Sequence, residues 1–156
     1  MKLKVAMGMV LMSMVASSAQ AAPNLEGGSW LCKRADTPEG VDEWTRYQFN
    51  GNGTIASQEW MQNKENSKVV LEFTLSVDYS YFDNGEELVL KPTKLTRDIS
   101  VDQFNVDPFN YDTRRDLLGY RIFFQPQFEN DNRAQFEMRH HITPEHPFTL
   151  SCQRQA

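Results

Sequence analysis

GGSWLCKR, Gly27–Arg34, places a tryptophan two residues before the first of only two cysteines in the chain; the second lies in FTLSCQRQ, Phe148–Gln155. What the two cysteines do depends on the compartment, and the first twenty-one residues speak to that. Lys2 and Lys4 make a short basic start, Val5 to Ala16 is a continuous apolar run, and Ala19-Gln20-Ala21 is a small-residue cleavage site. This is the pattern of a secretory signal peptide. The apolar run is too short to span a bilayer, which takes ~20 residues. We therefore expect cleavage after Ala21, a periplasmic or secreted location, and one β-domain over residues 22–156 with no membrane span. In an oxidising compartment the simplest use of two cysteines is one disulfide. If Cys32 and Cys152 stand opposite each other on antiparallel neighbours, Trp30 faces Arg154 and Arg34 faces Leu150. Positions two apart share a face, so Arg154 would lie over the indole. Such a cation–π contact stabilises by ~0.5 to 2 kcal/mol. A first strand bonded to the last leaves the sheet no free edge, which is a closed barrel.

Outward from that stretch, the dominant period is two. From Val69 to Tyr81 the odd positions are all apolar or aromatic, while the even ones include Glu72, Thr74, Ser76, Asp78 and Ser80. That alternation describes a half-buried strand. Its length exceeds the usual ~3 to 10 residues, so a bend is expected within it. Shorter strand-like segments fall at Trp44–Phe49, Thr54–Met61, Glu87–Leu90, Leu95–Val101, Leu118–Phe124, Ala134–His140 and Phe148–Cys152. NGNG at 50–53, DNG at 83–85 and ENDN at 129–132 separate some of them with turn chemistry. The expected fold is all-β, a single antiparallel up-and-down β-barrel of about eight strands; the alternative is a β-sandwich with the disulfide joining facing sheets. One stretch, Asp107–Gly119, departs from the meander. It has an Asp cap, a following Pro and a closing Gly, and reads as a short helix or a long ordered loop.

A Gly-x-Trp at the start of the first strand, Gly28-Ser29-Trp30, with a basic residue on the last strand packed against that Trp, Arg154, resembles the lipocalins and the wider calycin group. The resemblance implies an eight-stranded barrel with one capped end, an open mouth and a central site for small apolar molecules. The family's Thr-Asp-Tyr-like turn and the helix between its last two strands find no counterpart here.

Removing the leader takes the 16 basic residues to 14 against 21 acidic ones, a formal charge of −7. No basic cluster offers a footprint for nucleic acid; Arg114-Arg115 is flanked by Asp112 and Asp116. HHITPEH, His140–His146, is the one group with metal-ligand side chains. Alternation turns His140 inward and His141 outward, so it reads as a solvated loop beside a core imidazole rather than a metal site. No nucleophile elbow, zinc-protease motif or phosphate loop is present, and the acidic residues read as solvated strand faces. No enzyme and no cofactor is expected. The inward positions that would line a ligand site are Phe73, Leu75, Val77, Tyr79, Tyr120, Ile122, Phe136 and Met138, with Phe109 and Tyr111 of the irregular segment bordering the mouth. The expected function is binding or carriage of a small apolar or amphipathic ligand. The alternative is a protein-interaction module, an inhibitor or an envelope-assembly accessory, built on a filled barrel or sandwich. A continuous apolar cavity of at least ~300 Å³ separates the two.

Overall fold

The turn sequences are where the chain reverses. In NGNG, Gly51 and Gly53 take positive φ values of 73° and 77°, which a residue with a Cβ adopts only under strain, and Asn50 N–H donates to the Thr54 carbonyl. This turn joins β2 (Val41–Phe49) to β3 (Thr54–Glu65) with Phe49 opposite Ile55. The computed structural model describes residues 24–106 and 117–156. The other strands are β1 (Ser29–Arg34), β4 (Lys68–Asp83), β5 (Leu88–Asp102), β6 (Ile122–Asn130), β7 (Arg133–His140) and β8 (Phe148–Gln155). They pair in sequence order, all antiparallel, and β8 returns to β1, closing an eight-stranded up-and-down barrel. A sandwich is thereby excluded.

The closing seam has the register the cysteines imply. Cys32 pairs with Cys152, Trp30 with Arg154 and Arg34 with Leu150, and a disulfide joins Cys32 to Cys152 across 120 residues of chain. The Arg154 guanidinium carbon sits 4.5 Å from the Trp30 ring centroid. Its Nε donates to the Asp131 carbonyl at 2.8 Å and its Nη2 to the Asn24 carbonyl. Gly28 is where the guanidinium passes: a Cβ there would stand 2.4 Å from Nη1. The Gly-x-Trp phrase thus has a steric cause, since the first position must be bare for the arginine to reach the ring.

Where eight strand-like segments were anticipated after the first strand, seven strands are found among the described residues. Leu88–Leu90 and Leu95–Val101 belong to one strand, β5, and irregularities fall both in the long β4, where Val70 has no partner on β3, and in β5. Thr93 and Ser100 have no partner on β4, making two bulges. Each bulged hydroxyl donates to a β4 carbonyl, Thr93 to Asp78 at 3.1 Å and Ser100 to Glu72 at 3.2 Å. The Thr93 bulge shifts the parity of β5, so that Pro92 and Leu95 both face the interior. β5 meets β6 through only three residue pairs, Leu88 to Leu90, which makes this the shortest seam of the barrel. Of Asp107–Gly119, residues 107–116 lie outside the described residues, including Phe109, Tyr111, Arg114 and Arg115; Leu117–Gly119 form a single 3-10 turn. β6 accordingly begins at Ile122 rather than at Leu118.

The topology sorts the connections. Those between β2 and β3, β4 and β5, and β6 and β7 lie at one end with residues 24–28; those between β1 and β2, β3 and β4, and β7 and β8 lie at the opposite end, where β5 ends and β6 begins. The first end is packed solid. Trp30, Phe49, Phe124 and Phe136 are all but inaccessible to solvent and meet with ring centroids 4.7 Å (Phe124–Phe136), 5.7 Å (Trp30–Phe136) and 6.3 Å (Phe49–Phe136) apart. Such edge-on and tilted pairs add ~0.5 to 1.5 kcal/mol each beyond the area they bury. Outward positions are polar and exposed, among them Gln58, Ser76, Asp78, Gln135, Glu137 and Ser151. A lipid-facing barrel has the reverse pattern. Among the described residues no helix is long and apolar enough to cross a membrane.

Candidate functional site

Above the aromatic floor the barrel is hollow, with a cavity of about 640 Å³ opening towards the second end. The registers of β2, β3 and β4 stack the inward face of these strands in layers, of which the middle ones, with Tyr79 and Glu43, line the cavity. Phe49, Ile55 and Tyr79 form the lowest; Tyr47, Ser57 and Val77 the next; Thr45, Glu59 and Leu75 the third; and Glu43, Met61 and Phe73 the rim. Cys32, Ile122, Met138, Phe148 and Leu150 close the far side. The interior is therefore filled in one half and open in the other. The fully buried rings cluster at the closed end, and smaller residues such as Thr45, Ser57 and Val77 supply the walls above them.

Of the positions selected from sequence, Leu75, Val77, Tyr79, Tyr120, Ile122 and Met138 line the cavity. Phe136 lies beneath it, wholly buried in the floor, and Phe73 is buried at the rim layer outside the cavity wall. Trp30 and Arg154 belong to the closed end. His140 faces the cavity as alternation implies, its ring stacked on Phe148 at 5.4 Å and 28°. Burial, helped by the neighbouring His141, holds its pKa below the ordinary histidine value. His141 turns away, and its Nδ1 accepts from the Arg121 N–H at 2.9 Å.

One expectation is corrected. The acidic residues do not all lie on solvated faces, because Glu43 and Glu59 line the cavity. Thr45 stands opposite Glu59 and Met61 opposite Glu43, so the two carboxylates are diagonal neighbours on one inner wall. Such positions have backbones ~7 to 8 Å apart. Burial raises the Glu59 pKa above its usual value of 4.5, Glu43 adds to the rise, and Arg34 opposes it. Among the described residues, the Lys and Arg side chains lining the mouth are already engaged. Arg34 Nε and Nη2 reach Asp36 at 3.2 and 3.3 Å, Arg34 Nε lies 3.9 Å from Glu43, and Lys33 Nζ lies 3.4 Å from Asp42. The signal that would have found Glu59 is the NGNG hairpin itself. Its symmetric register carries Phe49 and Tyr47 onto Ile55 and Ser57, and two residues further along the same face is Glu59.

No family model matches the chain, and no curated protein matches it. The site must therefore be read from its own chemistry. Tyr47 and Tyr79 are more than nine-tenths buried, and burial, reinforced by the Glu59 charge, pushes both hydroxyls well above the ordinary tyrosine pKa. They remain protonated donors at neutral pH. The Tyr47 hydroxyl meets the Met138 sulfur at 3.8 Å, a weak acceptor. Among the described residues no group of three or more His, Cys, Asp or Glu side chains is gathered in metal-binding geometry. His146 lies beside Glu145 at 3.6 Å on the exposed loop before β8. Apolar walls with a few inward carboxylates and hydroxyls suit reversible capture of a molecule with an apolar body and a polar group.

Proposed function

We propose that this chain is a secreted or periplasmic, lipocalin-like binding protein that holds a small amphipathic molecule in the open half of its barrel. The observation that carries this reading is the cavity of about 640 Å³ above a fully packed aromatic floor. Binding sites for small molecules occupy ~300 to 1,000 Å³ and are lined by apolar groups with a few placed polar ones. An interior filled throughout would have favoured the interaction module. The disulfide accords with an oxidising compartment, and the closed meander with Gly28, Trp30 and Arg154 at its capped end accords with the lipocalin resemblance.

The test is displacement of a neutral fluorescent apolar probe, N-phenyl-1-naphthylamine, from the purified protein and from a Leu75→Trp variant. Leu75 is part-buried on the cavity wall, so a larger ring fills the space without disturbing the floor. Micromolar binding, ~8 kcal/mol, lost in the variant while its unfolding transition is kept, supports the reading. Absence of probe binding to the unaltered protein refutes it. The competing interaction module has one observation in its favour, the Trp44 and Trp60 rings stacked at 6.2 Å on the outer face beside Arg46.

A further inference from the structure

We propose that the ligand of this cavity presents a cation, an amine attached to an alkyl or aryl body, and that Glu59 receives it with Glu43 beside it. This rests on the binding reading above and concerns which chemistry the pocket selects. Four observations carry it. Glu59 stands on the inner wall one layer below the rim, and among the described residues it makes no hydrogen bond or close ion pair. Among the described residues the Lys and Arg side chains that line the mouth are committed to rim carboxylates, Arg34 to Asp36 and Glu43, and Lys33 to Asp42. Among the described residues, therefore, the carboxylates of the wall and rim outnumber these cations, and Glu59 is offset by Arg34 only at a distance. Tyr47 lies in the layer below, on the strand next to Glu59, more than nine-tenths buried, with a thioether as its hydroxyl's contact. Finally, the wall across the cavity offers Ile122, Met138 and Phe148 to the body of the molecule, with the His140 imidazole, whose burial disfavours its charged form, stacked on Phe148.

An ammonium placed between Glu59 and Glu43 relieves the repulsion between the carboxylates and supplies Glu59 with an opposite charge in a poorly solvated place. Its remaining face meets aromatic rings, which favour cations. A carboxylate head meets the opposite field: two like charges inside, and cations at the rim that it must take from Asp36 and Asp42. A neutral alcohol is indifferent to both. The order of preference among ligands of one chain length is thus amine, then alcohol, then acid, which is the reverse of the order expected for a fatty-acid carrier.

The experiment titrates dodecylamine, dodecanol and dodecanoate, all below their aggregation limits, against the protein loaded with N-phenyl-1-naphthylamine at pH 7. Dodecylamine is expected to displace the probe at least ten-fold more tightly than dodecanoate. Glu59→Gln should reduce that ratio about ten-fold, and Glu43→Gln should reduce it less. Equal or tighter binding of dodecanoate overturns the proposal, as does a ratio untouched by Glu59→Gln in a variant that melts cooperatively. Both results leave the binding reading intact, because the probe still occupies the cavity. If the unaltered protein binds neither the probe nor any of the three chains, the binding reading falls and the proposal with it.

Discussion

Replacing Arg154 and Gly28, singly and together, tests the closed end of the barrel as one unit. Arg154→Ala removes a cation 4.5 Å from the Trp30 ring and two hydrogen bonds to the Asp131 and Asn24 carbonyls. The ring contact is half-shielded from water and contributes ~1 kcal/mol. Each bond to a charged donor is discounted at this partly exposed site to ~0.5 to 1 kcal/mol. The total is about 2 to 3 kcal/mol, or ~6 to 9 °C in melting temperature for a domain of this size. Gly28→Ala introduces a Cβ 2.4 Å from Nη1, closer than any real contact, so the guanidinium must leave the ring. Its cost is therefore drawn from the same interaction, ~1 to 2 kcal/mol. Once Arg154 is alanine, the nearest remaining neighbour of the new methyl is the Leu25 carbonyl at 3.3 Å, and Gly28→Ala should then cost under ~0.5 kcal/mol. Urea unfolding followed by tryptophan fluorescence gives the four stabilities. Strict additivity of the two changes, within ~0.3 kcal/mol, would refute the claim that Gly28 is bare for the sake of the arginine.

Two further outcomes follow from the same geometry. Closing 120 residues of chain with the Cys32–Cys152 bond lowers the entropy of the unfolded chain, so the Cys32→Ser, Cys152→Ser double variant should lose up to ~5 kcal/mol. Two reactive thiols per chain in the denatured, unreduced protein would show that the bond is not made. The Glu59 pKa is raised on folding, so the folded state favours the neutral acid. This contribution is whole below the ordinary value of 4.5 and is lost as pH rises through the folded value. Glu59→Gln, which cannot ionise, should therefore melt higher than the unaltered protein at pH 7, the difference growing upward from about pH 4.5. A difference that stays constant between pH 4 and 8 would show that the carboxylate is not desolvated.

The sequence by itself determined the all-β class, the antiparallel meander and, once the cysteines are paired across neighbouring strands, the closing register; it left barrel and sandwich both open. The meander was legible because period-two alternation is a local property, with NGNG, DNG and ENDN marking three of its reversals. The register of the first and last strands was legible because two cysteines admit one pairing, and, with the two set opposite each other on antiparallel neighbours, that pairing carries Trp30 to Arg154 and Arg34 to Leu150. What only the tertiary structure decided concerns quantities summed around the barrel. The break in alternation between Leu90 and Leu95 looks, in one dimension, like the gap between two strands. In the barrel it is a bulge at Thr93, because the β4 partner continues past it and the bulged hydroxyl bonds the Asp78 carbonyl. Whether the interior is filled or hollow depends on which side chains meet at each level from eight strands. Trp30, Phe49, Phe124 and Phe136 converge on one level, while Thr45, Ser57 and Val77 leave another empty, and no single strand reveals that division. Glu59 followed the same rule. Its carboxylate reads as solvent-facing in composition, yet the hairpin places it on the face of Ile55 and Ser57, and only the closed ring of strands turns that face into the wall of a cavity.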